Sequence, residues 1–374
     1  MDLEKIAFDK NFSLSFGSSN QKRMYGFCYE IFENDILKNQ IHYEVEVNFL
    51  TDNSGRNCIF EINRKQFYIN NKTPNSKIEQ IAEKASQTIF PLRVKIKNNG
   101  EIEEVFTSNS SKKRWLSVKQ NIIKYYKGEA TAKIIDKIET VLLNDDLLKQ
   151  SICQNWFFHL YFKPLYAEYT SKLRFKSIWE SPVFGNQFIE YGAVHTIKDH
   201  YDNDDKININ AAGFAIDERT LEEIMQGYNF PKKYLSEETF ETVDSKMNVD
   251  YKLYKEDRSI FSVTGTFETK INENTQRKIQ VEIYHFPENS SFKPWNDAAL
   301  KESKRIFQSY QTKDEEDIID VAAMIIKRQE LNPKIERILG SVKEKNQFYI
   351  PEEPIMHKKM SFADKVKSVF KKKK

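Results

Sequence analysis

The sequence predicts an α+β protein: two β-rich regions with mostly antiparallel strands, each followed by a helical segment, and a short basic C-terminal tail. Two patterns and one measure of size carry that prediction. Strand-like alternation and helix-like periodicity come in blocks rather than one by one, which does not suit a doubly wound parallel sheet. Turn signals such as Asn98-Asn99-Gly100 separate alternating runs, as in hairpins. The 374 residues, 39% hydrophobic and 30% charged, are enough to bury a core without disulfide or metal staples.

The elements follow in order. His42–Leu50 alternates Tyr43, Val45, Val47 and Phe49 with His42, Glu44, Glu46 and Asn48, the pattern of a half-buried strand. Cys58–Asn70 pairs with it after the turn Asp52-Asn53-Ser54-Gly55. Thr73 and Pro74 open a helix whose stripe is Ile78, Ile81, Ala82, Ala85 and Ile89, and Pro91 stops it. Leu92–Lys97 and Ile102–Phe106 form a hairpin through Asn99-Gly100. Helices are expected over Lys112–Lys127, Thr131–Leu143 and Asp145–Tyr161. The last contains Trp156-Phe157-Phe158-His159-Leu160-Tyr161, apolar around its whole circumference and so suited to a core or a domain junction.

A second β-rich region begins near Arg174. Phe188–Lys198 and Lys206–Ile216 read as strands joined by the polar loop His200–Asp205, and Asp217 caps a short helix ending at Gly227. Val249–Tyr254, Ser259–Ile271 and Arg277–Phe286 read as a meander. Helices Asp297–Gln311 and Asp314–Leu331 follow, with Thr312 and Glu315 at capping-box spacing. The expected division is an N-terminal α+β domain over 1–170, a second over 171–350, and a tail over 351–374 set off by Pro351 and Pro354.

The net charge of +3 hides an asymmetry. His357–Lys374 holds eight Lys and one Asp. Taking these from the 58 basic and 55 acidic residues leaves a body with 50 and 54. A mildly acidic body gives no sign of a nucleic-acid groove, so no nucleic-acid partner is expected. Cys28, Cys58 and Cys153 have no metal-clip spacing and suit a reducing compartment. The N-terminus lacks the plan of a secretory signal, and the expected location is cytoplasmic, with the inner face of the membrane as an alternative.

None of the eleven glycines falls into GxGxxG or GxxxxGK[ST], which argues against a phosphate cradle. GxSxG, HExxH, HRD and DFG are absent as well. The densest polar cluster runs from His195 to Asp205. His195, His200, Asp202 and Asp204 are residue types that bind divalent metals or share protons. Their spacing fits no known site: histidines five apart face opposite sides of a strand, and an EF-hand begun at Asp202 would need glycine where Ile207 stands. A solvated hairpin tip is the favoured account of them, and no cofactor or metal is expected.

The tail carries the clearest local signal. On a helical wheel Phe362, Val366, Val369 and Phe370 share one face, and Lys365, Lys367, Lys371 and Lys372 lie off it. Such a short basic helix folds only on something else. The sequence therefore reads as a non-enzymatic interaction or scaffold protein whose tail docks a protein partner or an anionic membrane surface. Two alternatives stand beside it: an enzyme of unrecognised type, with or without a metal, using the His195–Asp205 region, and a carrier of an apolar ligand between sheet and helices.

Overall fold

Tyr25, Phe27, Tyr29 and Ile31 face one way and Gly26, Cys28 and Glu30 the other, yet all seven are buried. Their strand is the middle of the fold. The computed structural model describes residues 4–6, 12–17, 22–51, 58–106, 109–170, 172–185, 187–232 and 241–286. The chain divides into two compact units, Met1–Ala322 and Ala323–Lys374; the second lies outside the described residues. So do the expected helices beyond 286 and the tail.

In chain order, the first half holds β1 (Phe12–Ser13), β2 (Lys22–Glu33), β3 (Ile36–Thr51), β4 (Cys58–Ile69), α1 (Lys77–Gln87), β5 (Leu92–Ile96) and β6 (Ile102–Phe106). Four helices follow: α2 (Asn109–Tyr125), α3 (Glu129–Leu142), α4 (Asp145–Cys153) and α5 (Trp156–Tyr161). The second half holds β7 (Glu168–Tyr169), β8 (Arg174–Phe184), β9 (Gln187–Ile197), β10 (Lys206–Ala215), α6 (Leu221–Met225), β11 (Ser245–Tyr254), β12 (Ile260–Asn272) and β13 (Thr275–Phe286). The protein is mixed α+β, built on one large antiparallel sheet.

That sheet has eleven strands in the order β6-β5-β4-β3-β2-β13-β12-β11-β10-β9-β8. β1 and β7 pair separately. The sequence leaves open whether the two β-rich regions share a sheet; they do. β13 pairs with β2, setting Ile279 opposite Ile31, Val281 opposite Tyr29 and Ile283 opposite Phe27. The two meanders echo each other, each running through three strands, a short helix and further strands, and they meet at this central seam.

Local chemistry explains where the elements start and stop. The β2–β3 turn uses Asn34 and Asp35, both at positive φ, a backbone region these two residue types tolerate. Gly100 takes φ +94 in the expected Asn-Gly turn. Ser76, rather than Thr73, caps α1: it accepts from the Glu79 amide, and Glu79 reaches back in a full capping box. The helix expected over Asp145–Tyr161 breaks in two. Asn155 turns out of the helix and accepts from the Phe157 amide at 3.0 Å, so α5 starts afresh. Thr220, not Asp217, caps α6. Among the described residues no helix is long and apolar enough to cross a membrane.

α5 lies on the inner face of the sheet. All six of its side chains are buried. Trp156 stacks on Tyr29 at 5.9 Å and packs on Phe267 at 4.8 Å. Phe157 meets Phe27 edge-on at 6.0 Å, and Tyr161 meets Tyr25 at 5.2 Å. Tyr251 donates to the Leu160 carbonyl at 3.1 Å. One short helix thus holds strands from both meanders around a single core. Each fully buried ring contributes roughly 1.5–3 kcal/mol of transfer free energy.

Candidate functional site

The residues singled out between His195 and Asp205 separate in space. β9 alternates strictly, and its buried face is Ile189, Tyr191, Ala193, His195 and Ile197. His195 therefore points into the core. Its ring stacks on Phe175 at 4.0 Å, lies 5.6 Å from Trp179, and its Nε2 shares a hydrogen bond with Ser177 Oγ at 2.8 Å. Burial, with a smaller push from Lys163, holds it down to about 4, so it is neutral at physiological pH.

His200 lies in the following loop, its Nδ1 at 2.7 Å from Asp199 Oδ1. Asp202 Oδ1 accepts the amides of Asp204 at 3.0 Å and Lys206 at 2.8 Å, and Oδ2 stands 3.2 Å from Lys252 Nζ. Burial pushes the Asp202 carboxyl up, but these donors outweigh it and the net shift is downward. Asp204 is exposed at the tip. The arrangement is a turn closed by Asp202. Among the described residues no three His, Cys, Asp or Glu side chains stand together as a metal would need. The tail residues Phe362, Lys365, Val366, Lys367, Val369, Phe370, Lys371 and Lys372 lie outside the described residues.

A polar cluster that the sequence did not disclose sits at one end of the inner face. Arg23 from β2 donates to Asp257 Oδ2 at 2.6 Å and to Ser259 Oγ, and Asp257 Oδ1 accepts from Ser259 N at 3.0 Å and Ser259 Oγ at 2.7 Å. Tyr25 donates to the Ile260 carbonyl at 2.8 Å and accepts from Tyr161 at 3.2 Å. Tyr254 and His285 Nδ1 are 2.5 Å apart. Burial raises the phenol of Tyr25 and lowers the imidazole of His285 to about 4. At neutral pH the Arg23–Asp257 pair therefore carries the charge, and each partner balances the other. Its sequence separation hid it: residues 23 and 257 meet only because β13 brings the second meander onto β2.

Phe16 packs over this cluster, edge-on to Phe60 at 5.7 Å and to Tyr166 at 5.3 Å. Beneath it are two narrow clefts of about 10 Å³ each, one lined by rings with Arg23 and Ser259 and the other by rings with Ile96 and Ile260. They are smaller than the roughly 300–1,000 Å³ of ordinary ligand pockets. Lys163, under Trp179 with its amine 4.5 Å from the ring, donates to the Glu180 carbonyl at 3.0 Å, and burial holds it down to about 7.

The outer face of the sheet turns apolar at one corner. Ile178 on β8 lies opposite Gly192 on β9, which lies opposite Phe214 on β10. The next row sets Val194 opposite Ala212, and Ile216 follows Phe214 two residues on. Phe214 is 72% exposed, Ile178 68%, Ile216 49% and Val194 37%. Gly192 leaves a low floor between Ile178 and Phe214, with Ile216 so close that a Cβ on Gly192 would come within 3.0 Å of it. Lys176, Glu180, Glu190 and Lys246 border the patch.

No family model matches this chain, and no curated protein matches it. Among solved structures, it is similar to lipovitellin, in a structure concerned with lipid–protein interactions, with 10% identity and a TM-score of 0.37. The match covers 72% of this chain but 26% of that one, so this chain spans about a quarter of the length of its structural neighbour. A likeness at that level establishes no shared function.

Proposed function

We propose that this chain is an interaction protein that docks a protein partner on the apolar corner formed by β8, β9 and β10. One observation carries the reading: four large apolar side chains, Ile178, Val194, Phe214 and Ile216, are contiguous through strand register and stand in solvent. Single exposed apolar residues are ordinary, but a contiguous patch rimmed by polar groups marks an interaction site. Charges of both signs at the rim favour a partner with an apolar anchor surrounded by polar side chains. The basic helix read at Phe362–Lys374 would supply a second contact, to the partner or to an anionic surface.

The carrier reading would need room between sheet and helices, and among the described residues the α5 rings fill the space over the centre of the sheet. The metal-enzyme reading would need His195 turned out of an aromatic stack.

A photo-crosslinking residue at Ala212, in the patch, tests the proposal in the native cell. The expected result is one discrete protein adduct, lost when Phe214→Glu is added. The control is the same probe at Thr264, on the exposed polar part of the same face. Identical adducts from both positions, or none from Ala212, would overturn it.

A further inference from the structure

The apolar corner has an order that its composition does not show. On the outer face of β9, Gly192 and Val194 are neighbours, and on that of β10, Ala212 and Phe214 are. Each strand thus offers one small position beside one large one. Strand register crosses the two pairs: Gly192 lies opposite Phe214, and Val194 opposite Ala212. The rim on β8 is ordered as well, with Arg174 at one end of its outer face, Glu180 at the other, and Lys176 and Ile178 between. Arg174 and Glu180 are exposed, and neither forms an ion pair within the chain among the described residues. The Thr170 amide and the Lys163 amine meet the carbonyls of these two residues at the strand edge, which leaves the outer face of β8 clear.

We infer that the partner covering this corner is a second copy of the chain, packed sheet face to sheet face about a two-fold axis that crosses the strands. This rests on the docking reading above and names its partner. The axis runs between the row Ile178, Gly192, Phe214 and the row Lys176, Val194, Ala212. It exchanges the two rows strand by strand. Phe214 then lies over Ala212 of the second copy, and Val194 over Gly192 of the second copy, beside the Ile216 that leans towards that glycine. Each contact occurs twice by symmetry. A large side chain meets a small one at each of these positions on β9 and β10, as close packing between two sheets requires.

Charge selects the same axis. It sets the Arg174 side chain over Glu180 of the second copy, and Glu180 over Arg174 of the second copy, so opposite charges close both ends of the β8 rim. Between them Ile178 lies along the aliphatic stem of Lys176 of the second copy, whose amine reaches out to water. On β11, Lys246 meets Asn248 of the second copy. An axis placed instead through the row Ile178, Gly192, Phe214 would set Phe214 on Phe214, Gly192 on Gly192 and Lys246 on Lys246. That is large on large, small on small and like charge on like charge.

Sedimentation velocity on the full chain, over a range of micromolar concentrations, tests the inference together with the mass of the Ala212 adduct. The expected results are a dimer and an adduct of twice the chain's mass, both lost in Phe214→Glu. Glu180→Arg sets arginine against arginine at both ends of the rim and should weaken the dimer roughly tenfold. The double variant Arg174→Glu, Glu180→Arg restores opposite charges and should return the dimer to near its original strength, a rescue that a partner of any other sequence would not give. All three positions are exposed, and an unchanged melting temperature confirms that each variant is folded. A chain that stays monomeric, or a dimer indifferent to Phe214→Glu or to the charge swap, overturns the inference. An Ala212 adduct of any other mass overturns it too and leaves the docking reading standing, whereas no adduct overturns both.

Discussion

His195 offers a sharp test of how the core treats a polar ring. It is 1% exposed, stacked on Phe175 with the Trp179 ring tilted beside it, and its Nδ1 has no hydrogen-bond partner among the described residues. Protonation would put an unpaired N–H and a positive charge into an aromatic pocket, which is why the ring is held down to about 4 from its ordinary 6.5. The sign follows from proton binding. Above pH 6.5 the ring is neutral in both folded and unfolded chains. Between 6.5 and about 4 the unfolded chain takes the proton and the folded one does not, so stability falls as pH falls; below 4 the loss is complete. A shift of this size corresponds to about 3 kcal/mol. His195→Phe keeps the stack, removes the titration, and leaves Ser177 without its partner at a cost of about 1 kcal/mol at every pH. Urea unfolding followed by tryptophan fluorescence, from neutral pH down to 4, should therefore show wild type losing about 3 kcal/mol more than the variant. Comparison with the variant cancels His285 and the carboxylates, which titrate in both proteins. Parallel curves would refute the reasoning, because they would mean that the His195 pocket admits the charged ring at no cost.

Two further outcomes follow from the architecture. Phe157→Ala empties the point where α5 meets β2 and should cost about 3–5 kcal/mol in the same unfolding measurement; a loss under about 1 kcal/mol would mean that α5 is not the centre of the core. Deleting residues 361–374 should leave the melting temperature almost unchanged and reduce sedimentation with phosphatidylserine vesicles at low salt; a large fall in melting temperature would instead mean that the tail is part of the folded body.

Much of the fold was legible because half-buried strands announce themselves by alternation. β3, β5 and β13 were readable that way, and the Asn-Gly turn after β5 signalled the hairpin to β6. β2 was missed for a physical reason. It is buried on both faces, so Gly26 and Cys28 rather than polar residues stand between Tyr25, Phe27 and Tyr29 and the apolar–polar contrast is blurred, with the Tyr284 ring lying across Gly26. The continuous helix expected over Asp145–Tyr161 failed at Asn155, whose side chain competes for the backbone as a cap. Trp156–Tyr161, in contrast, was recognisable as a fully buried helix because no face of it is polar.

The candidate site shows what a sequence reading by neighbourhood leaves out. His195 and His200 look clustered in the chain, but the period of a strand separates them: His195 shares its parity with Ile189, Tyr191 and Ile197, so it follows them into the core. The same rule, applied to β10, finds the apolar corner. Asn208, Asn210, Ala212, Phe214 and Ile216 share the outer parity, and that face changes from polar to apolar along a single strand. What no single strand could show is that Ile178 and Val194 arrive beside Phe214, since that depends on the registers of β8, β9 and β10 together. His195 and Asp202, which look reactive in sequence, are spent on packing and a turn, and the surface proposed here for a partner is made of residues that look like core until the sheet is assembled.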